Sequence, residues 1–340
     1  MSDVLYLSSE EVAELASYSE YVDAIRDGYR QRGNGGSASA PTTISTKGSG
    51  ESFNSYINSY MAELPSANIG GTYQFSVDEQ DRWYLATLYD TTDGEPIALI
   101  DGGSWMSTKT GGIAAVGADA LSRPDSSTVG IIGSGRVARE SLRSICTIRA
   151  IESVDVYSPT EANRESFAVE MAAELDAEIS PVTSDTAAVR DADIVLTATT
   201  APEPVFDGSA LESGTHVCAM GQSGAHREID DTTVARSKYV PDIYPRTSPS
   251  SHQDRLKAAG AFVSAYTSGA VSDNHVYAEL GDVVVGRVPG RDSASEITVF
   301  DSTGTGIETI AAGYMLYKKA QKKELGTNIQ ISSLIETQRL

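Results

Sequence analysis

Val129-Gly130-Ile131-Ile132-Gly133-Ser134-Gly135-Arg136-Val137-Ala138 decides how this chain folds. A short β-branched run, a glycine turn and then helix-forming residues spell a strand, a tight turn and a helix. Gly133 lets the chain turn, and Gly135 lets backbone N–H groups approach a pyrophosphate. Ala138 stands where a third glycine often sits and is still small enough for close helix–strand contact. The helix opened by Arg136 and Val137 aims the positive end of its dipole at the phosphates. Glycine turns are common, but this one has the preceding strand and following helix that a dinucleotide-binding unit requires.

The alternation continues downstream. Runs at 153–157, 179–182, 193–199, 215–220 and 238–241 read as strands, with helices at 161–175 and 187–192 between them. This predicts a parallel sheet with helices on both faces, an α/β Rossmann-type domain over 126–305. Ligands of such sheets lie beyond the carboxyl ends of the strands, so Thr197, Ala198, Thr199, Met220 and Gly221 are expected beside the cofactor. A further strand at 296–300 runs into Asp301 and Ser302. Asp301 is expected at the nicotinamide or a ribose, or else as the cap of a helix starting near Thr305.

In this fold an acidic residue at the end of the second strand bonds the adenosine ribose. Here that position reads Tyr157-Ser158-Pro159-Thr160. Ser158 and Thr160, with Arg164 one turn further on, suit a 2′-phosphate. The cofactor expected is therefore NADP(H), with NAD(H) as the alternative; Ser158 and Thr160 also suit helix capping.

The first 125 residues follow another pattern. Ser8 and Glu11 form a capping-box pair, and Val12, Leu15, Tyr21, Val22, Ile25 and Tyr29 recur at helical spacing. The stretch 33–50, rich in Gly, Ser and Thr, reads as loop or edge strand. Strands follow at 53–61, 71–77, 83–88 and 96–100, and then a helix of small residues at 108–121. A long amphipathic helix at about 306–321 returns the chain to this first part. Residues 1–125 and 306–340 are thus expected to form an α+β domain.

The 340 residues carry a net charge of −21, spread along the chain, and this anionic surface argues against nucleic acid or anionic membranes as partners. It also suits high salt and a halophilic source. Cys146 and Cys218 are too few for a disulfide framework, and the scattered histidines lack metal-site spacing, so no metal is expected. The opening residues have neither basic n-region nor apolar core, which implies a cytoplasmic protein.

In this order the pieces resemble the ornithine cyclodeaminase/μ-crystallin family. The likeness rests on 92–102 (Thr-Asp-Gly-Glu-Pro-Ile-Ala-Leu-Ile-Asp-Gly), on Met106-Ser-Thr-Lys-Thr-Gly-Gly and on the nucleotide turn. It continues through Glu279-Leu280-Gly281-Asp282, Pro289-Gly290-Arg291 and Ile297-Thr-Val-Phe-Asp-Ser-Thr-Gly304. It implies a homodimer, a substrate-binding and dimerisation role for the first domain, and hydride transfer to or from an imine of an amino or keto acid.

Several positions depart from that pattern. Where relatives resembling this chain carry an Arg on a proline-containing segment, Pro41-Thr42-Thr43 offers hydroxyls, with Lys47 the nearest substitute. The Lys after the paired glycines is Tyr73. A second Arg is Lys109, followed by Thr110, which is expected to touch the cofactor. The cyclodeaminase Asp and Lys after Gly221 are replaced by Gln222-Ser223 and His226, which argues against ornithine cyclisation.

Hydride addition needs positive charge or a proton near the acceptor carbon. Lys109 is the first candidate for that charge. Tyr73 is a candidate acid if Lys109 lowers its pKa, or a packing residue. His226 titrates near neutrality or is merely structural. The function read from the sequence is reduction of a ketimine, cyclic imine or related amino/keto-acid substrate. A catalytically altered nucleotide-binding protein and a carbonyl reductase using Tyr73 and Lys109 are the alternatives.

Overall fold

Each stretch of alternating hydrophobicity finds its sheet. The computed structural model describes residues 2–39, 41–47, 54–77, 81–221, 227–244 and 260–333. Contacts divide the chain into one unit of 1–109 with 304–340 and a second of 110–303. The chain opens with β1 (Ser2–Leu7), α1 (Ser9–Val12) and α2 (Tyr18–Gly33), then β2 (Thr42–Lys47), β3 (Asn54–Leu64), β4 (Ile69–Val77), β5 (Arg82–Asp90), β6 (Pro96–Asp101) and α3 (Met106–Leu121). Ser8 and Glu11 form the capping box of α1, and Ser17 and Glu20 that of α2.

The second unit holds β7 (Thr128–Ile132), α4 (Arg136–Ile145), β8 (Ser153–Tyr157), α5 (Glu161–Ala172), β9 (Glu178–Pro181), α6 (Asp185–Val189), β10 (Ile194–Thr197), β11 (His216–Ala219), α7 (Asp231–Arg236), β12 (Lys238–Pro241), α8 (Phe262–Thr267), α9 (Leu280–Val284) and β13 (Thr298–Asp301). Its strands are all parallel, ordered β12-β13-β11-β10-β7-β8-β9. The order reverses direction between β7 and β10, which makes the switch point where doubly wound sheets bind ligands. Every residue of β10, β11 and β13 is buried, as strands covered on both faces require. This is the Rossmann-type architecture. β13 inserts between β11 and β12, although it comes later in sequence than both.

The division of the chain falls inside α3, between Lys109 and Thr110, whereas the sequence pattern changes near 126. Most of α3 packs with the second unit because its residues are small. A Cβ at Gly117 would lie 2.4 Å from the Phe300 ring of β13.

The chain then returns to the first unit through α10 (Gly306–Lys322) and β14 (Thr327–Ile331). The first unit's sheet runs β14-β1-β6-β5-β4-β3-β2, antiparallel except for the β1–β6 pair. Thus the stretch read as loop or edge strand contains the edge strand β2. On one face α10 covers the sheet, with Ile310 lying against Gly71 of β4. β1 and β14 have no counterpart in the sequence reading. Among the described residues no helix is long and apolar enough to cross a membrane.

Candidate active site

Loops leaving the carboxyl ends of β7, β8, β10, β11 and β13 carry the residues that the sequence reading expects at the cofactor. Gly133 donates its N–H to the Tyr157 carbonyl at 2.9 Å and has φ 112°. A Cβ there would stand 2.3 Å from the Ala198 carbonyl oxygen, so conformation and space both demand glycine. Gly135 is the N-cap of α4 in extended conformation, with no side-chain cap, and a Cβ on it would point into open space. Arg136 is exposed and Val137 half-buried in the first turn, while Ala138 is fully buried. An uncluttered opening at the head of a ten-residue helix fits a diphosphate.

At the end of β8, Ser158 is buried and its carbonyl accepts from Arg164 Nη1 at 3.0 Å. Arg164 is also 3.7 Å from the Glu161 carboxylate. Thr160 occupies the N-cap of α5, yet its hydroxyl makes no capping bond. The structure therefore brings a guanidinium to the strand end where the sequence lacks an acid.

The ends of β10 and β11 are tied by Glu228, which the sequence reading missed. Its carboxylate is fully buried and accepts the Thr197 hydroxyl at 2.8 Å, the Gly221 N–H at 2.6 Å and the Thr199 N–H. Burial pushes the Glu228 carboxyl up, against the opposing pull of these donors. A Cβ on Gly221 would lie 2.5 Å from both the Glu228 carboxylate and the Thr199 carbonyl oxygen. Ala198 donates to Ile132 at 3.0 Å and Met220 to Thr197 at 2.9 Å, extending the sheet beyond its strands. In sequence, Arg227-Glu228-Ile229-Asp230-Asp231 looks like a solvated charge run, and no local signal separates Glu228 from its neighbours.

Asp301 is turned inward. Its Oδ2 accepts the Tyr239 hydroxyl and the Ala261 N–H (2.8 Å for the latter), while Oδ1 has no hydrogen-bond partner among the described residues. Burial pushes its carboxyl up to about 7. It does not cap α10, because Thr305 holds that place. Ser302 is buried and donates its N–H to the Ala219 carbonyl at 3.0 Å. Thr110 is half-buried in α3. His226, Gln222 and Ser223 lie outside the described residues, as does the side chain of Lys47.

In the first unit, Lys109 is buried with Nζ 5.6 Å from the centroid of the Tyr73 ring. It acts electrostatically on Glu308, a fully buried carboxylate that accepts the Tyr29 and Thr305 hydroxyls, each at 2.9 Å. Glu308 also closes the capping box of α10. Burial pushes the Glu308 carboxyl up, and the Lys109 ammonium pulls it down. The proposed lowering of the Tyr73 phenol by Lys109 is not what the structure gives. Burial, then the neighbouring tyrosines and Glu308, raise it well above its ordinary value, and Lys109 stands over the ring.

Around Tyr73 the same sheet face forms an aromatic wall. Tyr73 stacks on Tyr60 at 5.7 Å, on Phe75 at 5.6 Å and on Tyr84 at 6.4 Å. Thr43 lies in register with Asn58, and Asn58 with Phe75; the Thr43 hydroxyl is bonded to the Asn58 side chain. The opposite face of these strands presents Ile44, Ile57, Met61 and Trp83, each more than half exposed.

A profile of the ornithine cyclodeaminase/mu-crystallin family matches residues 3–324. The chain belongs to this family. Among its relatives is the Δ(1)-pyrroline-2-carboxylate reductase of Bacillus cereus, 30% identical over 247 residues, covering 72% of this chain and 74% of the reductase. The Thermococcus litoralis enzyme of the same name, solved with NADH and L-proline, superposes with TM-score 0.86 at 31% identity, over 96% of this chain and all of that one. An archaeal alanine dehydrogenase dimer with bound NAD superposes with TM-score 0.84 at 26% identity, over 97% of this family member.

Proposed function

We propose that this protein reduces a carbon–nitrogen double bond as a homodimer, with NADP(H) its preferred coenzyme. It is an enzyme of the NAD(P)-dependent class acting on CH–NH bonds. The observation that carries the reading is the cradle from Gly133 to Ala138 at the sheet's switch point, in a chain of this family. A reduced nicotinamide coenzyme supplies a hydride when bound.

The protein's own part is to bind, orient and compensate charge. The first-turn amides of α4 take the diphosphate. Ser158, Thr160 and Arg164 face the adenosine ribose, where a guanidinium serves a 2′-phosphate better than a ribose hydroxyl. Thr197 and Glu228 fix the loops that carry Ala198, Thr199, Met220 and Gly221. Lys109 supplies the positive charge and Glu308 holds it in place. In the carbonyl-reductase alternative Tyr73 would be a weakened proton donor, since burial and the neighbouring tyrosines raise its phenol. The exposed row Ile44, Ile57, Met61 and Trp83 supports dimerisation through this sheet.

Fluorescence titration with NADPH and NADH tests the coenzyme assignment. Arg164→Ala should weaken NADPH binding about tenfold and leave NADH unchanged. Tighter NADH binding by the wild-type protein, or an equal loss for both coenzymes, refutes it. Coenzyme oxidation across a panel of cyclic imines tests the reaction, and binding without turnover leaves a nucleotide-binding protein instead.

A further inference from the structure

We infer that Glu228 is a positioning residue for the nicotinamide half of the coenzyme, acting through the backbone of Thr199 and Gly221. The inference rests on the proposed coenzyme site and divides that site into two separately held halves.

The carboxyl edge of the parallel sheet says where the second half lies. Ile132, Thr197 and Ala219 stand in register on β7, β10 and β11. Gly133 follows Ile132 and opens the diphosphate cradle at the switch point between β7 and β10. Ser158 and Arg164 put the adenosine half on the β8 side of that point. The other half of an extended dinucleotide then runs the opposite way, over the ends of β10 and β11. The backbone waiting there is Ala198-Thr199 and Met220-Gly221. The first pair touches the cradle, since a Cβ on Gly133 would lie 2.3 Å from the Ala198 carbonyl oxygen and 3.2 Å from the Thr199 methyl.

Glu228 takes over where the sheet ladder stops. The N–H groups of Ala198 and Met220 still donate to the Ile132 and Thr197 carbonyls. One residue further along each strand, the N–H groups of Thr199 and Gly221 turn to the Glu228 carboxylate instead. Thr199 donates to Oε1 and Gly221 to Oε2, which also receives the Thr197 hydroxyl at 2.8 Å. A backbone N–H can only donate, so both oxygens must accept, as a carboxylate does. A glutamine amide cannot: whichever way it turns, its NH2 meets one of the two backbone N–H groups.

The carboxylate is a fixed point. The Glu228 carbonyl accepts the Val205 N–H at 2.9 Å, and the next residue, Ile229, is fully buried in the core of this unit. A Cβ on Gly221 would lie 2.5 Å from the carboxylate, so the two loops close tightly around it. The cradle has its own supports, the Gly133 N–H on the Tyr157 carbonyl and the opening of α4 at Gly135. Loss of the carboxylate should therefore disturb the shelf over β10 and β11 and spare the diphosphate.

The test is calorimetric titration of the full-length protein with whichever of NADPH and NADH the wild type binds more tightly. The same protein is titrated with the fragment of that coenzyme ending at the diphosphate, 2′-phospho-ADP or ADP. Glu228→Gln should weaken the whole coenzyme about tenfold and leave the fragment within about twofold. It should also shrink the fluorescence enhancement of the bound dihydronicotinamide. An equal loss for both ligands, or no loss for either, overturns the inference and leaves coenzyme binding standing. If Glu228→Gln does not fold, Glu228→Asp replaces it, with two accepting oxygens on a shorter stem; the same split is expected and the same results refute. Wild-type protein that binds neither coenzyme removes the coenzyme site and this inference together.

Discussion

Asp301→Asn isolates the energetic cost of a buried carboxyl in the nucleotide-binding unit. Asp301 titrates at about 7 in the fold, against 3.8 for an ordinary aspartate, because burial opposes its ionisation. The folded state therefore holds a proton that the unfolded chain releases between those two values. Stability from this group is fully present below the lower value, declines as pH rises, and is gone above the higher one. The difference corresponds to about 4 kcal/mol. Asparagine never ionises, and its carbonyl oxygen still accepts from the Tyr239 hydroxyl and the Ala261 N–H. Urea unfolding of both proteins at about pH 5 and about pH 8 is the assay, and the wild-type minus variant difference cancels the other titrating groups. Between these two pH values the variant should gain on the wild-type protein by about 3 kcal/mol. An unchanged difference between the two pH values would refute the reasoning.

Gly133→Ala should abolish coenzyme-induced fluorescence change and destabilise the chain by at least about 2 kcal/mol, because the Cβ meets a backbone carbonyl in a left-handed residue; normal binding by a stable variant sinks the cradle. Ile57→Glu with Trp83→Glu should convert a dimer to monomer in sedimentation, since both residues are more than half exposed on the outer sheet face; an intact dimer moves the interface elsewhere. With a net charge of −21, the melting temperature should climb between about 0.1 M and about 2 M KCl as repulsion is screened; a flat or falling curve removes the salt-adaptation reading.

The nucleotide turn was legible because everything that defines it is local: strand, glycines and helix occupy one short run of sequence. The strands of that sheet were legible in number, but the insertion of β13 between β11 and β12 was not. It depends on pairings such as His216 with Thr298, far apart in the chain. β1 escaped for a similar reason, since Ser2–Leu7 pairs with Thr327–Ile331 and with β6. The candidate site was half legible. Thr197, Thr199 and Gly221 followed from the rule about strand ends, whereas Glu228 and Glu308 look like solvent-facing charges until the donors that surround them are known. Asp301 illustrates the converse: its position at a strand end was right, and its carboxylate is occupied by Tyr239 and Ala261.

The pairing of β1 with β14 has a consequence for how the chain matures on the ribosome. Residues 110–303 form a contiguous insert whose strands all precede β14 in the chain. The surrounding unit must hold six strands and α2 in waiting until α10 and β14 emerge, so its fold closes last. A polypeptide ending at Thr303 and released from the ribosome would hold every strand of the dinucleotide fold, while its aromatic sheet stood without the helix that shields it.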